Sequence, residues 1–188
     1  MAINLLSKVV NGVKGGITQT LKGAADVSSA IVVSVKNVAV TTLKETGELV
    51  VKGVQVPASI VKGAIDGLST IGVTFIKAIK GIVSGTVQGA MSEGVEQKEA
   101  ITGAVQQAIH SAKELGENVV SVAVESVTGA VEGVKQVGGD TFGATKTAII
   151  AALDAAKEIS SETFDAVKSS LTSSIEGSKN IIDELKKD

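Results

Sequence analysis

Residues 131–157 read VEGVKQVGGDTFGATKTAIIAALDAAK, and two ladders run through them: Val131, Phe142 and Leu153, and beside these Lys135, Lys146 and Lys157. Both have a step of eleven. Eleven residues make three turns of helix at 3.67 residues per turn, so side chains eleven apart stand almost directly above one another. The lysine ladder continues forward to Lys168 and Lys179 and, in the same phase, back to Lys113, Lys80, Lys36 and Lys14. The apolar ladder extends as Val10, Leu21, Val32, Leu43, Val54, Ile65, Ile76, Val87, Ile109, Val120, Val131, Phe142, Leu153, Phe164 and Ile175, broken only by Lys98 and Lys186. One face of one helix is written over and over along the whole chain.

Helix and strand can be separated by counting. Columns continuing from Ala2, Leu6 and Val10 at the spacing of an eleven-residue repeat hold 39 aliphatic, Met or Phe residues in 51 positions; columns through Asn4, Lys8 and Asn11 hold 3 in 51. A strand alternates with period two and would spread apolar residues through both sets, so the contrast predicts helix. Valine-rich stretches such as Ile31 to Val35 carry strand propensity, but propensity is weaker evidence than a pattern of this length.

A second period of 22 lies over the first. In the column through Leu6, small residues recur at Gly72, Gly94, Gly116, Gly138 and Ser160, with Val83, Val105, Val127, Ile149 and Leu171 between them. The chain divides into units beginning at Leu6, Ser28, Val50, Gly72, Gly94, Gly116, Gly138 and Ser160. Leu115-Gly116-Glu117-Asn118, Gly138-Gly139-Asp140-Thr141 and Ser160-Ser161-Glu162 combine helix-ending and helix-starting residues. Glycine on an apolar face equally permits close helix approach, and both roles are open at this point. Pro57 is expected to mark a kink or a turn.

The fold class is therefore all-α: tandem amphipathic helices on an 11/22-residue repeat, arranged as long kinked helices or as antiparallel hairpins in a bundle. The chain is expected to form a single repeat-built region over 1–188 with three compositional parts. Residues 1–52 are basic amphipathic repeats. Residues 53–92 are weakly charged and glycine-rich, with Gly81, Gly85 and Gly89 forming a four-spaced ridge suited to close packing. Residues 93–188 are acidic. Nine lysines and four acids in 1–92 give +5; nine lysines and sixteen acids in 93–188 give −7. The molecule is electrically polarised along its length, which favours antiparallel or staggered contact between copies.

Composition removes several chemistries. The 188 residues contain 21 glycines, one proline, three phenylalanines and no cysteine, so thiolate metal sites, cysteine nucleophiles and disulfides are out of reach. There is no Arg, Trp or Tyr, and no sustained basic excess, which argues against nucleic acid. The one histidine, His110, lies in a polar column and reads as a surface residue. The acids repeat as lattice points with no isolated facing pair, and Gly12-x-x-Gly15-Gly16 lacks the strand and the Lys-Ser/Thr of a phosphate loop. No catalytic, cofactor-binding or metal-ligating residue, no cofactor and no small-molecule substrate is expected.

The stretch Met1 to Val13 lacks a basic start and holds Lys8 within its apolar run, so no cleaved signal peptide is expected. The longest uncharged window, Ala100 to Ala112, is shorter than the roughly 20 apolar residues of a membrane span.

Tandem repeats of this kind, with lysine at the polar boundary, resemble the synuclein, exchangeable apolipoprotein and perilipin families and, more distantly, late-embryogenesis-abundant stress proteins. Glu132-Gly133-Val134, Lys135-Gln136-Val137-Gly138-Gly139 and Val50-Val51-Lys52-Gly53-Val54 carry the synuclein-like rhythm of Lys, Gly and Val. The lysine-threonine-lysine-glutamate-glycine-valine core and the acidic, tyrosine-bearing tail of that family are absent. The resemblance covers nearly the whole chain as a pattern. It implies a non-catalytic, cytoplasmic protein that reversibly coats a lipid surface, preferably anionic, with the Val10 column against acyl chains and the lysines reaching phosphates. The alternative is a structural self-assembling helical protein, as a right-handed coiled coil, bundle or filament, with no lipid role.

Overall fold

The structure, a computed structural model, describes residues 2–21, 27–46, 53–69 and 74–185. These form α1 (Ala2–Leu21), α2 (Val27–Thr46), α3 (Gln55–Ser69), α4 (Phe75–Ser92), α5 (Gln97–Glu114), α6 (Val119–Gln136), α7 (Thr141–Ile159), α8 (Ser161–Ser174) and α9 (Ser178–Glu184). The fold is all-α, a packed bundle of helices with no strand among the described residues.

From α4 to α7 each unit of 22 is one helix and one turn. Gly94, Gly116 and Gly138 have φ of +88°, +70° and +74°, a left-handed backbone that side chains with a Cβ resist. Around each, the same pair of hydrogen bonds closes the preceding helix. After α5, for instance, the Gly116 amide donates to the Lys113 carbonyl at 3.2 Å and the Glu117 amide to the Ala112 carbonyl at 2.8 Å. α5 starts at Glu96 without a side-chain cap, whereas α6, α7 and α8 each start on a side-chain oxygen. Asn118 Oδ1 accepts from the Ser121 amide at 2.9 Å, Asp140 Oδ1 from Phe142 and Gly143 at 3.1 Å, and Ser160 Oγ from Thr163 at 3.0 Å. Between the two roles open for these small residues, the turn role holds at Gly94, Gly116, Gly138 and Ser160. Leu6 and Ser28, by contrast, fall inside helices. Val50 and Gly72 lie outside the described residues.

Pro57 does not kink a helix. It sits in the first turn of α3, where its missing N–H would have had no intrahelical acceptor and its fixed φ suits a helix start.

The helices form two layers. α1, α3, α5 and α7 lie side by side in one, α2, α4, α6 and α8 in the other, and consecutive helices meet across the gap. Neighbours within a layer are parallel: Gly63 and Gly67 of α3 lie against Val10 and Lys14 of α1, both advancing together. Consecutive helices are antiparallel, as Gly12 and Gly16 of α1 facing Thr42 and Val38 of α2 show. The buried apolar set is continuous from α1 to α9. Its deepest row is the column through Ala2, where Val13, Val35, Ile79, Ala90, Ile101, Ala112, Ala123, Val134, Ala156 and Val167 are all fully covered.

Candidate functional surface

The Val10 column is the flank of the buried stripe. Leu43, Ile65, Val87, Ile109 and Leu153 are buried; Val10, Val32, Ile76, Val120, Val131, Phe164 and Ile175 are half-buried. Val54 is 39 % exposed and Phe142 74 %. Leu21 lies in α1, and its side chain is outside the described set. Depth along one column thus varies with the neighbours a helix has.

The boundary lysines stay at the surface. Lys14, Lys113, Lys135, Lys146, Lys157 and Lys179 are exposed, and Lys36, Lys80 and Lys168 half-exposed. Ion pairs join different helices. Lys44 meets Glu93 at 3.7 Å, Lys62 meets Glu114 at 4.0 Å, and Lys80 meets Glu132 at 2.7 Å. Lys146 meets Glu184 at 3.8 Å, and His110 Nε2, charged only when protonated, lies 3.0 Å from Glu158. Every one of these spans adjacent helices of one layer, and in every one the basic residue comes first in the chain. All five pairs take their acid from residues 93–188, and three take their base from residues 1–92. Each pair is solvent-exposed and contributes at most about 1 kcal/mol, so their value lies more in register than in stability. Register is also held at the turns, where the Gln97 amide clamps Asp140 through Nε2 to the carbonyl at 2.8 Å and through Oε1 from the amide at 3.0 Å.

Glycines supply the close contacts within layers. A Cβ on Gly81 would meet Ile31 at 3.0 Å, one on Gly85 would meet the Val32 carbonyl oxygen at 2.6 Å, and one on Gly89 would meet the Ala39 Cβ at 2.7 Å. Gly103, Gly129 and Gly133 do the same against Val54, Lys80 and Ser84. These last three were not evident from sequence as contact residues. For Gly133 the available signal was the 22-residue spacing of small residues through Gly67, Gly89, Ser111, Gly133 and Ala155; for Gly129 it was the series Gly63, Gly85, Gly129 and Ala151, broken by Gln107, and for Gly103 it was Gly81 one unit before it, all on the side judged polar.

At the start of α8 the Glu162 carboxyl is held below its ordinary value of 4.5 by its backbone hydrogen bond and by Ser160. Thr86 Oγ1 and Ser126 Oγ are buried without a partner, and Gln88 Nε2 donates to Ser84 Oγ at 3.1 Å. No described helix is long and apolar enough to cross a membrane. Comparison with protein-family models, curated proteins and solved structures gives no match.

Proposed function

We propose that this is a non-catalytic amphipathic-helix protein that reversibly binds an anionic lipid surface, with the two-layer array as its lipid-free form. The observation that carries the proposal is the make-up of the seam between layers. Sixteen of the forty-four buried apolar residues among those described are alanine. Each such residue removes little apolar area from water, so a helix gains less from its opposite layer than a leucine-rich helix would, and an acyl boundary can replace that cover. The half-buried Val10 column and the surface lysines beside it are the groups that would meet the interface first. The glycine turns at Gly94, Gly116 and Gly138 divide the chain into helices that can re-orient as units.

Flotation with vesicles of phosphatidylglycerol or phosphatidylcholine, with circular dichroism in parallel, tests it. The expected result is cooperative helical melting in buffer, flotation with the anionic vesicles and loss of that flotation at high salt. Absence of flotation at low salt refutes the lipid assignment.

A second reading, a structural self-assembling protein without a lipid role, is favoured by the glycines. Gly85 and Gly103 are placed for a neighbouring helix backbone, a feature useless on lipid. Oligomers in light scattering with no vesicle binding would select it.

A further inference from the structure

Inside the array each helix is covered by the next one of its layer, but α7 is followed only by the seven-residue α9, and no described helix stands beyond α8. A groove of about 260 Å³ remains there. Its floor is apolar: Leu153 is 5 % exposed, Ile182 4 %, and Ile150 and Phe164 are half-buried. Its rim carries Lys157 and Lys168, with Asp154 as the one carboxylate of the lining.

The repeat shows what this place lacks. Lys168 and Phe164 stand four 22-residue units after Lys80 and Ile76. Lys80 meets the Glu132 carboxylate of the next helix in its layer at 2.7 Å. No described helix stands beyond α8 for Lys168 to reach, and its Nζ lies 5.6 Å from the centre of the Phe164 ring. Neither Lys168 nor Lys157 ion-pairs with a carboxylate of the described residues. At Lys80 an apolar side and an anion arrive together with α6, whereas Lys113 and Lys135, two units and one unit before Lys157, ion-pair with no described carboxylate either. Among the described residues, the Lys168 position has the receiving half of the Lys80 arrangement without the giving half.

We propose that this groove binds one acyl chain bearing an anionic head, the chain against Leu153, Ile182 and Phe164 and the head at Lys157 and Lys168. The volume suits part of a single chain and not two. In naming the ligand class the proposal rests on the lipid assignment above, but it concerns a built site on the folded array and not the opened helices.

Sodium decanoate, titrated below its micellar range into the full chain and followed by amide chemical shifts, tests it. Saturable shifts confined to α7, α8 and α9 are expected, with octanoate, decanoate and dodecanoate tightening about fourfold per added methylene. Decanol, which lacks the charge, should bind at least tenfold more weakly. The double variant Lys157→Gln/Lys168→Gln, both at the surface and so expected to melt as the parent does, should abolish the preference for decanoate over decanol. Ile150→Trp should block the groove, and a parental amide spectrum elsewhere shows that its loss of binding is local. Shifts that do not saturate, do not depend on chain length or survive both variants overturn the site. So does a concentration-dependent dimer with no decanoate binding, which would make a second copy the occupant. If the double variant also loses flotation on phosphatidylglycerol vesicles, the bilayer lipid supplies the chain; if flotation is unchanged, a free fatty acid does. Vesicle binding without a decanoate site refutes this site and leaves the lipid assignment standing, whereas a decanoate site without vesicle binding does the reverse.

Discussion

In α4 the nine residues from Ile82 to Ala90 are buried without interruption, whereas α8 buries only Val167 and Leu171. The two helices are copies of one unit, four periods of 22 apart, so the repeat alone does not set how deeply a residue lies. α4 has α2 and α6 on its two sides and α3 and α5 across the gap; α8 has α6 on one side only. The chain records this difference. Where α4 carries Gly81 against the Ile31 side chain and Gly85 against the backbone of α2, α8 carries Ser169 and Ser173, exposed to solvent. At these two positions glycine stands where α2 packs closely and serine stands where no helix of the layer follows.

The contrast can be broken most forcefully within one column. Val87 and Phe142 are five elevens apart in the same ladder, one fully buried and the other 74 % exposed. Val87→Asp is expected to abolish cooperative folding, at a cost of about 4 kcal/mol or more in urea melts, while Phe142→Asp should stay within about 0.5 kcal/mol. Equal effects would mean that the two layers do not form.

A smaller effect of opposite sign sharpens the glycine argument. Gly15 and Gly103 share a repeat position, but a Cβ on Gly103 would overlap the Val54 carbonyl, whereas one on Gly15 has nothing within 4 Å. Gly103→Ala should destabilise by about 1–3 kcal/mol through overpacking. Gly15→Ala, in an open helix interior, should stabilise by about 0.5–1 kcal/mol, and thermal melts of the two would separate in opposite directions. Ser126→Ala should raise stability by about 1 kcal/mol, because it removes a buried hydroxyl with no partner.

At the open end, the expected effect is the least. Ser160→Ala costs about 1 kcal/mol of capping at α8 and lets the Glu162 carboxyl return toward 4.5. Because that carboxyl is lowered in the folded protein, its contribution is present above its ordinary value and is lost as pH falls through the folded one. The variant should therefore show a shallower loss of stability on acidification below 4.5, read from melts between pH 5 and 3.

Much of this was legible from the residues. The eleven-residue ladders specify helix, and the spacing of Gly94, Gly116, Gly138 and Ser160 marks candidate helix ends, with the choice between turn and close packing decided only by the left-handed backbone at the three glycines and the cap at Ser160. What the ladders did not reveal is which element covers which. The column through Val10 is more apolar than that through Ala2, 15 of 17 positions against 13 of 17, yet the Ala2 column is the deep seam and the Val10 column a flank, since depth depends on how the parallel helices of a layer are staggered. The glycines at 103, 129 and 133 were hidden by the same cause: glycine on a polar side looks like surface until a second helix is placed on it. Asp154 with Lys157 and Asp165 with Lys168 look like pairs within a helix, but the ion pairs that form reach across to the next helix of the layer, where register places acid against base.

The central claim is that helices two units apart lie side by side in water. The chain has no cysteine, so Lys80→Cys/Glu132→Cys places two unique spin labels at an exposed pair whose loss costs little. In lipid-free buffer, the account predicts a short separation, that of side chains on touching helices, whereas one continuous helix would hold positions 52 residues apart at about 78 Å. A long or broad distance distribution in buffer would contradict it.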